Sequence, residues 1–231
     1  MNNLLNFFTT IVDDDNPIVG WISLGAIALL IGLLVVVCFT NRKEKGFDTR
    51  HIAFAGICIA TSFGLSFIKF SPVTYGGSIT IASMVPIMLY AYLFGPVNGI
   101  IVGLIYGLLQ FIQSPYMFTG TTFLLDFPLA FVSICMMGIM KKLFKGTLSS
   151  IIAGVGFTYL FRFAMHLFSG FIYFANGGIW TNLPADNMFV YSFLYQITYL
   201  GPDFIISLVV LIVLCTTKTI ERLEKIVKKS A

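Results

Sequence analysis

The sequence predicts an all-α integral membrane protein, a six-helix bundle preceded by one extra N-terminal transmembrane helix. Three observations carry that reading. Hydrophobic residues make up 58% of the 231-residue chain and charged residues 10%, against roughly half and a quarter in a soluble domain. The apolar residues gather in runs of the length, about 20 residues, that crosses a hydrocarbon layer about 30 Å thick. Most of the 14 Lys and Arg residues sit in short loops or tails beside those runs, where they act as topology signals.

Residues 1–45 form a first unit. The apolar run 18–40 follows the acidic residues 13–15 and precedes the basic stretch 41–45, which puts the basic flank in the cytoplasm and the N-terminus outside. A signal peptide would carry its basic segment before a shorter core, so the run reads as a retained helix. Residues 46–217 form the membrane body, with spans expected at 51–68, 79–94, 98–114, 121–140, 148–175 and 189–217. Threading these from the cytoplasm places every Lys and Arg on the inner side except Lys69 and Arg162. Residues 218–231 form a cytoplasmic tail. There Ile220, Leu223, Ile226 and Val227 share one face and Glu221 and Lys225 stand at i,i+4, as in an amphipathic helix on the inner surface.

Two spans repeat small residues every four positions: Gly56, Ala60 and Gly64 in the first body helix, and Gly95, Gly99, Gly103 and Gly107 in the third. Such ridges let helix backbones approach closely in lipid. The second ridge is expected to pack inside the bundle, whereas the first suits either internal packing or docking onto another subunit. Cys38, Cys58, Cys135 and Cys215 lie in separate apolar runs without a CxxC spacing, so they read as packing residues rather than a disulfide or a zinc site. The net charge of +4 is accounted for by the loop lysines and arginines, and nucleic acid is not expected as a partner.

Ionisable residues inside a membrane need a partner, a cavity or a function. Asp126, Arg162, His166 and Asp203 are the four to account for. Counted from the outer helix ends at 1.5 Å per residue, Arg162 and Asp203 share a depth of roughly 20 Å and suit a structural ion pair. Asp126 and His166 fall in a shallower layer with Tyr191, Tyr195 and Gln196. Asp126 would alternatively cap a helix start or pair with Arg162, and His166 would alternatively make only an interhelical hydrogen bond. A carboxylate, an imidazole, an amide and many aromatic rings suit a small, flat, polar or cationic molecule. Tyr75 and Trp180, on the outer loops, add to the wall.

At this point the stretches GGSITIASMVPIML (76–89), YGLLQ (106–110), LLDFPLAF (124–131), RFAMHLFSG (162–170) and YSFLYQITYLGPDF (191–204) become informative together. In order and spacing they resemble the S components of energy-coupling factor vitamin transporters, and among them the thiamine-specific branch. The resemblance covers about residues 50–215. It implies a six-helix S-component bundle with the vitamin near the outer face, beneath the loop joining the first two body helices. It implies that Asp126 and His166 contact thiamine, with Tyr191 and Gln196 assisting and aromatic rings stacking on the ligand. The candidate ligand-binding set is Asp126, His166, Tyr191, Gln196, Phe127, Tyr173, Tyr195, Tyr75 and Gln110. No catalytic residue, metal ligand or cofactor is expected. The resemblance further implies docking of Gly56, Ala60 and Gly64 onto a transmembrane coupling subunit that carries two ABC-type ATPases, in a bacterial cell membrane. The chain departs from the family's pattern at Phe127, where a tyrosine is expected, at Gln196, where an asparagine is, and at Asp203, where a small residue is.

Two other readings are weighed beside a thiamine-binding component. The same transporter could take a thiamine precursor or another aromatic vitamin. An intramembrane enzyme would use His166 and Asp126 as base and acid, but the chain has no HExxH, no paired glutamates and no Gly-flanked serine. No phosphate-binding loop of the Walker type is present, so ATP would be used only by partner subunits. A purely structural partner of a membrane complex would have no need of the shallow polar cluster.

Overall fold

The computed structural model describes residues 49–70, 77–115, 120–175 and 187–229, together with Gly25, Ala28 and Gly32, which are helical. The remainder of the leading apolar run, Cys38, Tyr75 and Trp180 lie outside the described residues. From residue 49 the order is α1 (Thr49–Leu65), β1 (Lys69–Phe70), β2 (Ile79–Thr80), α2 (Val85–Phe94) and α3 (Pro96–Gln113). There follow α4 (Gly120–Leu143), α5 (Thr147–Ala175), α6 (Met188–Thr216) and α7 (Thr219–Lys229).

Helices α3 to α6 are long and apolar enough to cross a membrane. Their outward side chains, among them Leu104, Ile105, Leu108, Ile152, Leu160, Ile205, Val209 and Val213, are exposed. Such a belt is costly in water and suits lipid tails. The core lies between the helices, where Ile87, Met88, Tyr90, Leu125, Ile134, Met137, Ile151, Val155 and Leu211 are fully enclosed.

The expected span 79–94 is only partly helical. Its first residues pair instead with Lys69 and Phe70 as an antiparallel hairpin, in the register Lys69 to Thr80 and Phe70 to Ile79. A turn follows in which Ala82 takes φ 55°, a left-handed conformation that ends any continuous helix. Helix α2 then starts with Pro86 in its first turn, where a missing N–H costs nothing. Its 10 residues rise about 15 Å, half the layer, and none of them is exposed among α1, α3, α4, α6 and α7. A helix apolar all round belongs in such a position. Gly95, at φ 94°, makes the sharp turn into Pro96 at the start of α3.

The ridge of α3 packs against α4. A Cβ at Gly99 would stand 3.2 Å from Cys135 Cα, one at Gly107 would stand 2.7 Å from the Phe127 carbonyl oxygen, and one at Gly103 would collide with the Phe131 carbonyl oxygen. By contrast, no described atom lies within 4 Å of a Cβ built at Gly56 or Gly64, and Ala60 is exposed between them.

Helix α4 is interrupted by a wide π turn at Leu125–Leu129 containing Pro128. The Ala130 N–H reaches back five residues to the Leu125 carbonyl, as such turns require. At the C-terminal end, Lys218 at φ 58° turns the chain into α7. Ile220 is fully buried and Glu224 pairs with Lys141 at 2.6 Å. The tail is thereby fastened to the end of α4.

Candidate functional site

A cavity of about 390 Å³ opens where α3, α4, α5, α6 and the hairpin converge. Each element supplies side chains at its own period. On α5 the stripe is Arg162, His166, Ser169 and Tyr173, spaced by four, three and four residues along one helix face. On α6 it is Tyr191, Ser192, Tyr195, Gln196 and Tyr199. Helix α4 contributes Thr122, Asp126, Phe127 and Phe131, helix α3 and its end contribute Gln110 and Ser114, and the hairpin region contributes Lys69, Gly77 and Ser78.

Eight of the residues expected from the sequence therefore line one cavity: Asp126, His166, Tyr191, Gln196, Phe127, Tyr173, Tyr195 and Gln110. The ninth, Tyr75, lies outside the described residues. Among the described residues no group of three His, Cys, Asp or Glu side chains is gathered as a metal site would need.

The carboxylate is the best-anchored group. The π turn carries Asp126 toward α5, where His166 Nδ1 lies 2.8 Å from Oδ1 and the Ser169 hydroxyl donates to Oδ2 at 2.6 Å. Because a carboxylate only accepts, Nδ1 holds the proton of this bond. His166 Nε2 is then left as a buried atom with no hydrogen-bond partner. Asp126 neither caps a helix nor pairs with Arg162, the two plainer roles open to it from the sequence. Its side chain keeps 22% of its surface accessible, so the anchored carboxylate still faces the cavity.

Gln196 is committed at both ends of its amide. Its Nε2 donates to the His166 carbonyl at 3.0 Å and its Oε1 accepts from the Tyr199 hydroxyl. The amide thus fixes the α5–α6 contact at the cavity, where Gly170 also allows close approach: a Cβ there would lie 2.9 Å from Ser192 Oγ. Phe127 is held edge-on by Phe111 at 5.1 Å and beside Phe123 at 5.9 Å. Tyr191 and Tyr195 stack with 10° between their planes, and Tyr195 meets Tyr199 edge-on at 5.6 Å. The Tyr195 hydroxyl also accepts from the Gly77 N–H at 2.8 Å, tying the hairpin to α6.

Arg162 departs from the expected separation into two layers. Its Nη1 does lie 3.5 Å from Asp203 Oδ2, but its guanidinium sits over the Phe131 ring at 4.6 Å and forms part of the cavity wall. Counting backbone depth ignores the length of the side chain, which carries the charge several ångströms from its Cα. Asp203 itself does not touch the cavity. It accepts from Thr80 Oγ1 at 2.9 Å and from the Tyr159 hydroxyl at 2.8 Å, which also bonds Ser207 at 2.8 Å.

Gly77 and Ser78, from the outer loop 71–78 expected to add to the wall, do line the cavity, whereas Ser169, Ser192, Tyr199, Thr122, Ser114 and Lys69 are wall residues that the sequence does not mark. Ser169 and Tyr199 continue helical stripes already marked by His166 and Tyr195, so period alone could have found them. Lys69 arrives through the hairpin. Its ammonium donates to Ser114 Oγ at 3.1 Å, and burial pushes it below its ordinary basicity. Four buried polar atoms without partners belong to wall residues: Gln110 Nε2, Arg162 Nε, His166 Nε2 and Ser192 Oγ. Native interiors rarely leave such atoms unpaired, and their gathering around one cavity fits a site for a polar guest.

A family model described as thiamine transporter protein (Thia_YuaJ) matches residues 52–222, which span the whole bundle and the start of the tail. The chain belongs to that family. This Thia_YuaJ member is similar to the thiamine transporter ThiT of Bacillus subtilis (strain 168), with 32% identity over 157 residues, 62% of this chain and 77% of that protein. A solved structure of ThiT from Listeria monocytogenes matches with a TM-score of 0.60 at 20% identity, covering 73% of this chain and 94% of that one. That likeness establishes the fold. The Thia_YuaJ match spans the five stretches on which the resemblance was read and leaves the leading apolar run outside. The chain is a mostly helical membrane protein and a transporter, not an enzyme.

Proposed function

We propose that this chain is the substrate-binding component of an energy-coupling factor importer, which captures thiamine outside a bacterial cell and delivers it through a separate energising module. The observation that carries the cargo reading is the Asp126 carboxylate, fixed by His166 and Ser169 at the wall of an aromatic cavity. One held carboxylate among ring faces suits a flat cation, because charge attraction and ring stacking both strengthen away from water. The volume, about 390 Å³, falls in the range of about 300–1,000 Å³ usual for small-molecule sites. The names of the family and of the Bacillus subtilis relative support the same cargo. The partner reading rests on Gly56, Ala60 and Gly64, a ridge that nothing described covers, as the docking face for a coupling subunit. Two ATPases on that subunit would supply the energy. The basic loops support an orientation with the N-terminus outside and the tail inside.

A thiamine precursor is the neighbouring reading. Phe127 lacks a phenol and both ends of the Gln196 amide are bonded within the protein, which removes polar contacts from the wall. Titration of the purified protein with thiamine, its two separate ring halves and other aromatic vitamins, followed by Trp fluorescence, tests the proposal. Saturation by nanomolar thiamine ahead of the others is expected, and tighter binding of a ring half would change the cargo. Asp126→Asn should weaken thiamine binding more than about tenfold, the scale of a lost charge-assisted contact; equal binding would remove Asp126 from the site.

A further inference from the structure

The inner wall of the cavity holds opposed charges. Asp126 from α4 and Arg162 from α5 both face it, with His166 and the phenols of Tyr173, Tyr191, Tyr195 and Tyr199 as the other titratable groups. Lys69 also lines the cavity, but it comes from the hairpin, is only partly buried and directs its ammonium to Ser114 in an exposed contact at 3.1 Å, so water and salt screen it more than the guanidinium. With the imidazole neutral, the inner wall sums to zero, and a cationic ring drawn to Asp126 is repelled by Arg162. That wall alone gives little reason to prefer a cation over an uncharged ring of the same shape.

Asp203 alters the sum. It is 4% exposed, lies behind the guanidinium at 3.5 Å from Nη1, and is held there by Thr80 and Tyr159. Thr80 belongs to the hairpin, Tyr159 and Arg162 to α5, and Asp203 to α6, so three elements fix the geometry. Arg162 is also pinned from the other side by the Phe131 ring, which leaves the guanidinium between ring, carboxylate and cavity.

We propose that Asp203 is a specificity-determining residue: by neutralising Arg162 from behind, it leaves Asp126 as the uncompensated inner charge and makes the cavity select cationic rings. The inference rests on the cavity being the cargo site. It assigns to Asp203, a position where the chain departs from the pattern it resembles, a part in recognition that does not require contact with the cargo.

The test compares affinity for thiamine with affinity for its uncharged thiophene counterpart, by calorimetry on the full-length protein. Asp203→Asn should lower the cation-to-neutral affinity ratio roughly tenfold, the scale of one unscreened charge in a partly dry site. Arg162→Gln alone should raise the ratio above wild type. The double variant Asp203→Asn with Arg162→Gln should return it to near the wild-type value, although two polar contacts have been lost. A merely structural Asp203 would weaken both ligands together and leave the double variant no better than the single one, and that result would overturn the proposal. Should Asp203→Asn fail to fold, the rise expected for Arg162→Gln still decides, since an unchanged ratio there overturns it equally. Wild type that binds neither compound would reject the cargo reading and the selection with it; wild type that binds both equally would reject the selection alone.

Discussion

Two helices of this bundle carry the same four-residue spacing of small side chains, and they use it differently. On α3, the space a side chain would need is taken by the α4 backbone at Phe131 for Gly103 and at Phe127 for Gly107, and by Ala91 of α2 and Cys135 of α4 for Gly99. On α1, Gly56 and Gly64 meet no described atom within 4 Å. The spacing states only that a backbone can come close; whether one has come is a property of the fold. In lipid, where helix association rests on contact rather than on expulsion of water, a filled groove contributes to stability and an unfilled one is available to a partner.

Substitutions separate the two cases. The largest effect is expected from Gly103→Leu, because the new Cβ would overlap the Phe131 carbonyl and neither helix can yield without moving the wall residues Phe127 and Phe131. Overpacking a core costs about 1–3 kcal/mol, and a clash with backbone should exceed that, so no monodisperse protein is expected on size exclusion in detergent. A well-folded Gly103→Leu would show that α3 and α4 are less closely packed than described. Next comes Ala60→Trp, which should leave thiamine affinity within about twofold while abolishing uptake in cells that supply the coupling subunit; uptake at the wild-type rate would remove the α1 ridge from the docking face. The smallest effect is expected for Gly56→Ala, within about 0.5 kcal/mol of wild type in thermal stability, as for surface changes generally. A large loss there would mean that the α1 groove is already occupied.

The spans were legible because hydropathy and loop charge report directly on the bilayer, and five of the six expected body spans lie within a few residues of described helices. The hairpin was not legible. Residues 79–94 are apolar throughout, and composition cannot distinguish a helix from a short strand followed by a left-handed turn at Ala82. In the tail, spacing suggested Glu221 with Lys225, yet the described ion pair joins Glu224 to Lys141 on another helix, a contact that no local pattern encodes. For the site, charged and aromatic side chains in apolar runs announced themselves because lipid makes them expensive. Ser169 did not, since a serine in a membrane helix commonly bonds its own backbone, and its bond to Asp126 depends on how α4 meets α5. Arg162 was placed at the correct depth by its Cα and in the wrong layer by its head group.

The wide turn at Leu125–Leu129 has a consequence for the phase of α4. One residue of an ordinary helix advances the azimuth by about 100°, and a five-residue turn holds one more residue than its neighbours. The turn itself aims Asp126 at α5, and beyond it, past a second break at Ser133 and Ile134, the C-terminal part of α4 lays Gly138 against Gly95 and Pro96. Deleting a single residue from that turn would shift the azimuth of the residues before the deletion by about 100° relative to those after it and swing the carboxylate away from its imidazole and hydroxyl. The orientation of the charge is thus set by an extra residue in the winding of the helix, and the identity of the acidic side chain alone does not supply it.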